Sequence, residues 1–432
     1  MLILKNIILF ALPLVAFVSC SDDDDKAVEP DAGEAVEVRH VQQRSVKRGV
    51  SYSFQLPETD MFLLGNTISW FYNWSPDCSG AVQTYAKQYG VSFVPMAWNN
   101  NYDTARIAST IDVFGDRYLL AFNEPNLTDQ ANMTPEVAAQ YWPELRQYAR
   151  AKGLKLVSPA MNYGTLAGYS NPTTWLDEFF SQEGVSVDDI DAIALHCYMN
   201  SASSLKSYID MFEKYGKPIW LTEFCAWDGG VASAEVQMAY MSEALAYLEE
   251  CPAVERYAWF IPRYNGYPYM ALLEDEQLSD LGKVFVAAST ADKSAYALNG
   301  QKWAATLWQS SNASEGGVSG QAFSAAPHLS VTTDPEAISE VEVNSFSLGK
   351  WLEYGLDAKE DVSSMSLRLS TLVPTTFAIT IDGDEGQSTS IEISTKSQWA
   401  THVIPLSIGK GTHRVRISVS KGSSSLSWIV FD

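Results

Sequence analysis

Residues 118–126 are Tyr118-Leu119-Leu120-Ala121-Phe122-Asn123-Glu124-Pro125-Asn126, a short apolar run that ends on polar residues, and an amphipathic segment follows at 134–152. The apolar run has the length of a buried β-strand. In the second segment, Thr134-Pro135-Glu136 supplies an N-cap residue, a proline at the first helical position and an early acid, which predict a helix start. The stretch is therefore one strand–helix unit of the kind that builds parallel sheets.

The same alternation of strand and helix recurs on both sides of this stretch. Eight β-branched or aromatic runs are expected to be strands, at residues 48–54, 68–74, 91–98, 118–123, 155–161, 192–198, 219–224 and 257–262. Further helices are expected at 234–250 and 280–288. Eight strands with eight crossovers favour a closed (β/α)8 TIM barrel over an open sheet, which would leave two edges unpaired. We predict this barrel at residues 45–290.

The composition changes after Gly300. Ser, Thr, Gly and Val dominate, and turn residues separate alternating segments at 364–370, 377–381, 390–393, 401–405, 413–420 and 427–431. This pattern is typical of an all-β sandwich, or jelly roll. We predict the sandwich at residues 303–432 and a linker at 291–302.

The first 44 residues are expected to lie outside both folded domains. Lys5 precedes an apolar run at 7–18 that is short for a membrane span and suits a signal peptide. Ser19 and Cys20 follow the run, and an acidic stretch comes next. This arrangement resembles a bacterial lipoprotein signal with the export tag of Bacteroidetes surface lipoproteins. We predict a signal peptide at 1–20 with Cys20 lipidated, a flexible acidic tether at 21–44, and a location on the outer face of the outer membrane. An ordinary cleaved secretory signal is the alternative.

Charge and cysteine spacing exclude several classes of partner and cofactor. The formal net charge of -23 disfavours nucleic acid and anionic membrane surfaces, which would repel such a chain. No Gly-rich phosphate loop opens a helix and no Cys-x-x-Cys pair is present, so we predict neither a nucleotide cofactor nor a metal. Cys197 and Cys225 end consecutive predicted strands, which allows a disulfide or two buried thiols.

Two predicted strands end in a glutamate. Glu124 follows the fourth strand and Glu223 lies near the end of the seventh. Catalytic groups of TIM barrels lie at the carboxyl ends of strands. Glycoside hydrolysis needs two such carboxyls, one to protonate the leaving oxygen and one to attack the anomeric carbon, and retaining enzymes hold them ~5 to 5.5 Å apart. The alternative is that each glutamate caps a helix or pairs with a cation such as Arg263.

Three strings carry a resemblance to a known family: Phe122-Asn123-Glu124-Pro125-Asn126, Ala194-Leu195-His196-Cys197-Tyr198 and Trp220-Leu221-Thr222-Glu223-Phe224. Over residues 48–288 the chain resembles glycoside hydrolase family 128, the Asl1-like catalytic domain. The resemblance implies endo-acting cleavage of β-1,3-glucan with retention of configuration. It also implies that Glu124 is the acid/base, that Glu223 is the nucleophile, and that the amide of Asn123 binds the sugar 2-hydroxyl.

Neighbouring side chains extend this candidate site. His196 and Tyr198 alternate along the sixth strand, so both are expected to point into the barrel mouth. Tyr198 would donate a hydrogen bond to the nucleophile, whereas His196 either serves the site or is an ordinary core residue. Four tryptophans at or just beyond strand ends are candidate platforms for sugar stacking, with rim packing as the alternative: Trp74, Trp98, Trp227 and Trp259.

The C-terminal segment resembles a family 6 carbohydrate-binding module. The resemblance rests on Asn344-Ser345-Phe346, Gly349-Lys350-Trp351-Leu352-Glu353-Tyr354, Ile381-Asp382-Gly383, Gln398-Trp399 and Ser427-Trp428-Ile429-Val430-Phe431. It implies that Phe346 and Trp399 sandwich a sugar and allows a structural calcium, for which no ligand cluster is evident. Trp351 and Trp428 are expected to be core residues. The chain departs from the pattern at residues 425–427, where Ser-Leu-Ser replaces the usual ligand-contacting Asn.

Together these features predict a monomeric, lipid-anchored retaining hydrolase whose partner is a polysaccharide and whose only membrane contact is its anchor. Two alternatives remain. The same chemistry serves other β-linked glycans, because the loops around the site select the sugar. A non-catalytic surface glycan-binding protein is the alternative from another class.

Overall fold

The computed structural model describes residues 43–227, 230–290, 292–313, 326–394 and 396–432. The predicted lipoprotein signal, Cys20 and almost all of the predicted tether lie outside these residues. Within the described ranges, no helix is both long enough and apolar enough to cross a membrane.

Between residues 43 and 290, the described residues contain eight parallel strands, and each overlaps a predicted run. They are β1 (Arg48–Ser51), β2 (Trp70–Tyr72), β3 (Ser92–Phe93), β4 (Tyr118–Leu120), β5 (Lys155–Val157), β6 (Ile193–Cys197), β7 (Ile219–Phe224) and β8 (Val254–Trp259). Six of them form a sheet in the order β3-β2-β1-β8-β7-β6, and β4 pairs with β5. Most are shorter than predicted, because the residues at the carboxyl ends leave the sheet to form the loops that carry the polar side chains.

One helix follows each strand, which gives this region a mixed α/β fold. The helices are α1 (Pro57–Leu64), α2 (Gly80–Tyr89), α3 (Thr104–Phe114), α4 (Pro135–Ala151), α5 (Pro172–Ser181), α6 (Ala202–Asp210), α7 (Ala234–Glu250) and α8 (Asp280–Ala287), with 3-10 turns at Val187–Asp189 and Glu213–Tyr215. At the start of α4, the Thr134 side chain accepts a hydrogen bond from the Val137 amide, as the capping signal predicts. A short hairpin, β9 (Leu273–Glu274) and β10 (Gln277–Leu278), lies between β8 and α8.

A buried arginine ties β1 to the last two helices. Arg48 is fully buried; its Nε donates to the Tyr257 hydroxyl at 2.9 Å and its Nη2 contacts Glu249 Oε1 at 3.2 Å. The guanidinium also donates to carbonyls at the end of α8, namely those of Phe285, Ala288 and Ser289. These acceptors offset the cost of burying the charge.

We expect Arg48→Ala to lower the free energy of unfolding by about 3 to 5 kcal/mol, because it removes the buried guanidinium that pairs with the Glu249 carboxylate. Urea denaturation followed by circular dichroism measures the change. Lys214→Ala is the matched control. Its ion pair with Asp177 is about half exposed, so a loss below about 1 kcal/mol is expected. Equal losses in the two variants would contradict the importance of the buried pair.

The second part of the chain is rich in β-strands. Among the described residues after α8 there are twelve: β11 (Ala297–Leu298), β12 (Trp303–Ala304), β13 (Ser310–Ser311), β14 (His328–Val331), β15 (Val341–Ser347), β16 (Trp351–Ala358), β17 (Val362–Thr371), β18 (Thr375–Ile381), β19 (Asp384–Ile393), β20 (Ser397–Ile408), β21 (Gly411–Lys421) and β22 (Ser423–Phe431). One sheet has the order β11-β16-β21-β18-β19 with β13 beside β16, and the other has the order β14-β15-β22-β17-β20 with β12 beside β22. All six predicted strands are present, whereas the six strands β11 to β16 are not among the predicted segments.

The predicted linker contains a strand. Within residues 291–302, β11 pairs in parallel with β16 and so belongs to a sheet of the second part. The second part of the chain also contacts α7 directly, through β14. Glu243 of α7 pairs with His328 at 2.7 Å, and the Ser242 hydroxyl accepts from the Leu329 amide at 2.9 Å. The stretch is therefore not a free spacer, although the predicted domain limits themselves stay a prediction.

Candidate active site

Residues at the carboxyl ends of the parallel strands enclose a cavity of about 730 Å³, which we call the strand-end cavity. Glu124 follows β4 and Glu223 lies on β7; both side chains are largely buried, and both line this cavity. The other lining residues are Trp74, Trp98, Asn123, Leu127, Gln130, Asn162, Tyr198, Trp227, Gly230, Phe260 and Tyr267. The cavity thus combines two carboxyls, three amides and a largely aromatic wall.

Three donors hold the carboxylate of Glu223. The Tyr72 hydroxyl and the Trp74 indole nitrogen both donate to its Oε1, at 2.6 and 2.7 Å. The Tyr198 hydroxyl donates to Oε2, as the sequence predicts. Burial, together with the adjacent charge of Glu223, holds the pKa of both tyrosines well above the ordinary value, so their hydroxyls stay protonated and able to donate.

Glu124 has a different set of partners. Its Oε1 accepts from Asn162 Nδ2 at 3.0 Å and lies 2.9 Å from His196 Nδ1. Burial alone would raise the pKa of this carboxyl, but the attraction of His196 and the two hydrogen bonds outweigh burial and lower it. The backbone of Glu124 has a φ of 42°, in the left-handed region that non-glycine residues rarely adopt, and such conformations cluster at functional sites.

His196 connects the two carboxyls. The ring is fully buried, with Nδ1 against Glu124 and Nε2 3.4 Å from Glu223 Oε1. The second contact is a charge contact without hydrogen-bond geometry, because Nε2 has no hydrogen-bond partner among the described residues. Burial lowers the pKa of His196, whereas both carboxylates and the bond to Glu124 raise it, and the net shift is upward. His196 therefore contacts both carboxyls from behind, and it is not on the wall of the strand-end cavity, where a residue that binds substrate would have to lie.

This raised pKa predicts a dependence of stability on pH. A group whose folded pKa exceeds the unfolded value of about 6.5 stabilises the fold fully below that value, and the stabilisation is lost as the pH rises through the folded pKa. We expect the free energy of unfolding of the parent, relative to His196→Asn, to fall as the pH rises above about 6.5. Urea titrations between about pH 5 and 9 measure both proteins, and parallel curves would contradict a proton bound at His196.

Of the remaining predicted residues, Trp74, Trp98, Trp227 and Asn123 line the strand-end cavity. The Asn123 amide nitrogen donates to Gln130 Oε1 at 3.1 Å, while its buried Oδ1 has no partner among the described residues. Trp259 is a correction. Its fully buried ring packs against Phe224 and its nitrogen donates to the Met270 carbonyl, so it cannot stack on a sugar.

The alternative pairing of the glutamates with Arg263 does not occur, because Arg263 pairs with buried Asp60 at 2.6 Å. Sequence reasoning missed Tyr72 and Asn162. Tyr72 lies two residues before Trp74, so the alternation used for His196 and Tyr198 would have placed both on one face. Asn162 follows directly on the fifth predicted run. Among the described residues, no group of three His, Cys, Asp or Glu side chains has the arrangement of a metal site.

In the second part of the chain, the predicted aromatic pair is not formed. Phe346 is fully buried, with its ring centroid 6.1 Å from that of Phe377, and so cannot sandwich a sugar. Trp399 lines a hollow of about 660 Å³ with Arg368 and Gln398. The expected core residues Trp351 and Trp428 are buried, which confirms their prediction.

Comparisons with known proteins identify the family and several relatives of this chain. The family model described as the glycosyl hydrolase catalytic core matches residues 49–285. A GH128 (subgroup II) endo-β-1,3-glucanase from Pseudomonas viridiflava is 42% identical with a TM-score of 0.52, and the match covers 56% of this chain and 98% of that one. A second subgroup II enzyme, from Sorangium cellulosum, is 36% identical with a TM-score of 0.52 over 56% and 99% of the chains.

A curated relative is more distant. Alkali-sensitive linkage protein 1 of Schizosaccharomyces pombe is 30% identical over 263 residues, which are 56% of this chain and 45% of that protein. The present chain thus spans less than half the length of this relative.

Proposed function

Because the chain belongs to the glycosyl hydrolase catalytic core family, we propose that it hydrolyses β-1,3-glucan at internal bonds by double displacement with retention of configuration. It is a glycoside hydrolase whose family match, residues 49–285, contains Glu124 and Glu223, and two endo-β-1,3-glucanases each match 56% of the chain. The observation that carries the proposal is the meeting of Glu124 and Glu223 at one imidazole ring on an aromatic-walled cavity. Because both carboxyls contact the same ring, they are close enough to each other to act on one glycosidic bond.

In the first step, Glu223 attacks the anomeric carbon while Glu124 gives its proton to the departing glycosidic oxygen. The bond from carbon to that oxygen breaks, and the sugar becomes an ester of Glu223. In the second step, Glu124 takes a proton from a water molecule, whose oxygen displaces Glu223 and restores both carboxyls. The amide of Asn123 would bind the sugar 2-hydroxyl, and the aromatic wall would stack on sugar faces.

The lowered pKa of Glu124 requires a source for the proton of the first step. His196 is the nearest candidate, because its Nδ1 lies 2.9 Å from Glu124 Oε1 and the two carboxylates raise its pKa. Esterification of Glu223 removes one of those charges. His196, which has given up its proton through Glu124, then binds a new proton less tightly, so Glu124 is the group that accepts the proton of the attacking water.

The test is a panel of polysaccharides given to the purified protein: laminarin, mixed-linkage glucan, cellulose, xylan and β-mannan. We expect new reducing ends from laminarin and an early fall in its mean chain length, as internal cleavage produces. Cleavage of a different polysaccharide alone would favour the same chemistry on another β-glycan. Binding without cleavage of any of them would favour a glycan-binding protein.

For the fold, the proposal includes closure of the eight strands into a (β/α)8 barrel. Parallel bridges support this: Met96 pairs with Leu120 between the β3 and β4 segments, and Val157 pairs with Ala192 between the β5 and β6 segments. These isolated bridges lie at the two junctions that the sheet order leaves open, which supports closure. The two six-stranded sheets of the second part would likewise form a sandwich.

The proposal also covers attachment and accessory binding. A lipid on Cys20 and an acidic tether would hold the enzyme at the cell surface, which palmitate labelling of Cys20→Ala against the parent tests.

The second part would bind glucan through Trp399, whose hollow is open to a ligand. Loss of laminarin retention by Trp399→Ala in affinity electrophoresis would support this binding, and unchanged retention would contradict it.

A further inference from the structure

A second cavity, of about 1160 Å³, lies beside the strand-end cavity. Most of its lining comes from residues 263–283, which connect β8 to α8 and include the first residues of α8. Gln55 and Leu56 follow β1, and Ala234 begins α7 after β7. The segments around it thus leave the carboxyl ends of β7, β8 and β1, which are neighbours in one sheet. The second cavity is therefore on the same face of the molecule as Glu124 and Glu223.

The two cavities share one wall residue, Tyr267. Its hydroxyl donates to the Trp227 carbonyl at 3.1 Å and accepts from the Val231 amide at 2.9 Å, which fixes the ring between the cavities. The Trp227 ring lies 5.4 Å from that of Tyr267 and 6.2 Å from that of Tyr264. An aromatic surface thus continues from the strand-end cavity into the second one.

Two rings on this surface are open to a ligand. Tyr264 and Tyr269 are 40% and 44% exposed, and both line the second cavity. The position of Tyr264 depends on Gly266, because a Cβ at residue 266 would lie 2.6 to 3.0 Å from the Tyr264 side chain. Large exposed rings held over a concave surface are the usual means of binding sugar faces.

The segment that lines the second cavity is fixed where it starts, at Arg263. Arg263 donates to Asp60 Oδ1 through Nε at 3.0 Å and Nη2 at 2.6 Å, and the Tyr52 hydroxyl donates to Asp60 Oδ2 at 2.7 Å. Asp60 is fully buried, so the network fixes the start of the loop against α1. The cavity is in this sense pre-formed, which reduces the entropy lost on binding.

We propose that the second cavity is a distal subsite that binds further glycosyl units of the polysaccharide whose cleaved bond lies in the strand-end cavity. This inference rests on the proposed function. The side chains of Gln55, Asn265 and Gln277 provide amides beside the exposed rings, a combination that suits a neutral, hydroxyl-rich chain. Because the two cavities share a wall at Tyr267, a single polysaccharide chain could occupy both of them.

Calorimetric binding of two oligosaccharides to a Glu223→Gln protein tests the subsite without turnover. Laminaritriose is short enough for the strand-end cavity, whereas laminarihexaose extends beyond it. We expect Tyr264→Ala combined with Tyr269→Ala to weaken hexaose binding about tenfold, or about 1.4 kcal/mol, and to change triose binding less than about twofold. Gly266→Ala, which keeps the rings but displaces Tyr264, should act in the same direction.

Tyr141→Ala is the matched control, because Tyr141 is 37% exposed on α4 and lines neither cavity. Unchanged hexaose binding, or equal weakening of triose and hexaose, would overturn the subsite. Laminarin cleavage by the parent tests the proposed function separately. A parent that cleaves no laminarin refutes that function, while a tyrosine-dependent preference for hexaose would still support the second cavity as a glycan site.

Discussion

Replacement of Glu223 by Gln is expected to reduce laminarin cleavage by at least about 10⁴-fold, or about 5.5 kcal/mol of transition-state stabilisation. An amide is a poor nucleophile and cannot form the ester on which the first step depends. The surrounding donors add to the loss, because Tyr72, Trp74 and Tyr198 all direct hydrogens at this side chain. The amide nitrogen of Gln would face at least one of these donors.

The measurement is the release of reducing ends, with circular dichroism to establish that the variant is folded. Glu213→Gln is the matched control. It makes the same change at an exposed position on a 3-10 turn and should retain parental activity. Unchanged cleavage by Glu223→Gln would end the proposed mechanism.

A second variant separates the loss of a nucleophile from a general disturbance of the site. Glu223→Ala leaves space where the carboxylate was, and azide in that space can attack the anomeric carbon from the same side. With an activated aryl β-glucoside, this single displacement should give the α-glucosyl azide, whose configuration is inverted. A β-azide product would indicate that another group, and not Glu223, forms the intermediate.

The carboxyl pair was predictable because it depends on a simple topological rule. Glu124 and Glu223 each end a strand run, and parallel strands with helical crossovers bring their carboxyl ends to one face. Tyr198 followed from the same rule with the two-residue alternation of a strand. These inferences need only the existence of the strands and the parity of a few residues, and an error of two residues in a boundary leaves them intact.

Trp259 shows where that reasoning fails. In a strand that is buried on both faces, apolar side chains point both toward the strand-end cavity and toward the helices. The sequence therefore does not mark which of two successive residues faces the cavity. Trp259 packs against Tyr240 of α7, and the next residue, Phe260, lines the strand-end cavity. A shift of one position therefore separates a core residue from a wall residue.

Phe346 was misplaced for a related reason. The pairing of β15 with β22 shifts register between Val343 and Phe346, and Ser345 has a φ of 48°. This irregularity breaks the alternation that a family pattern assumes, and it turns Phe346 into the core. The second cavity could not be predicted from the sequence, because its shape depends on how residues 263–283 pack against the segments that follow β1 and β7.

Replacement of Glu124 by Ala has an effect that depends on the leaving group. The leaving group in laminarin is a sugar alkoxide, which needs a proton from Glu124. We therefore expect the rate of laminarin cleavage to fall about 10³-fold or more. The leaving group of 2,4-dinitrophenyl β-laminaribioside is a stable phenolate, which needs no proton. Its first step should proceed at nearly the parental rate, because Glu223 and its three donors remain in place.

The second step still lacks its base, so the dinitrophenyl substrate should show a burst of one phenolate per enzyme followed by slow turnover. Added azide needs no base and should restore fast turnover, with the β-glycosyl azide as product. Asn162→Ala serves as the control, because it removes a hydrogen bond to Glu124 but leaves the carboxyl, and it should show neither burst nor azide rescue. Equal losses on laminarin and on the dinitrophenyl substrate would mean that Glu124 positions the substrate and does not transfer a proton. The ratio of the two rates therefore assigns the role of Glu124, since a positional defect reduces both reactions whereas a missing acid reduces only the one that needs it.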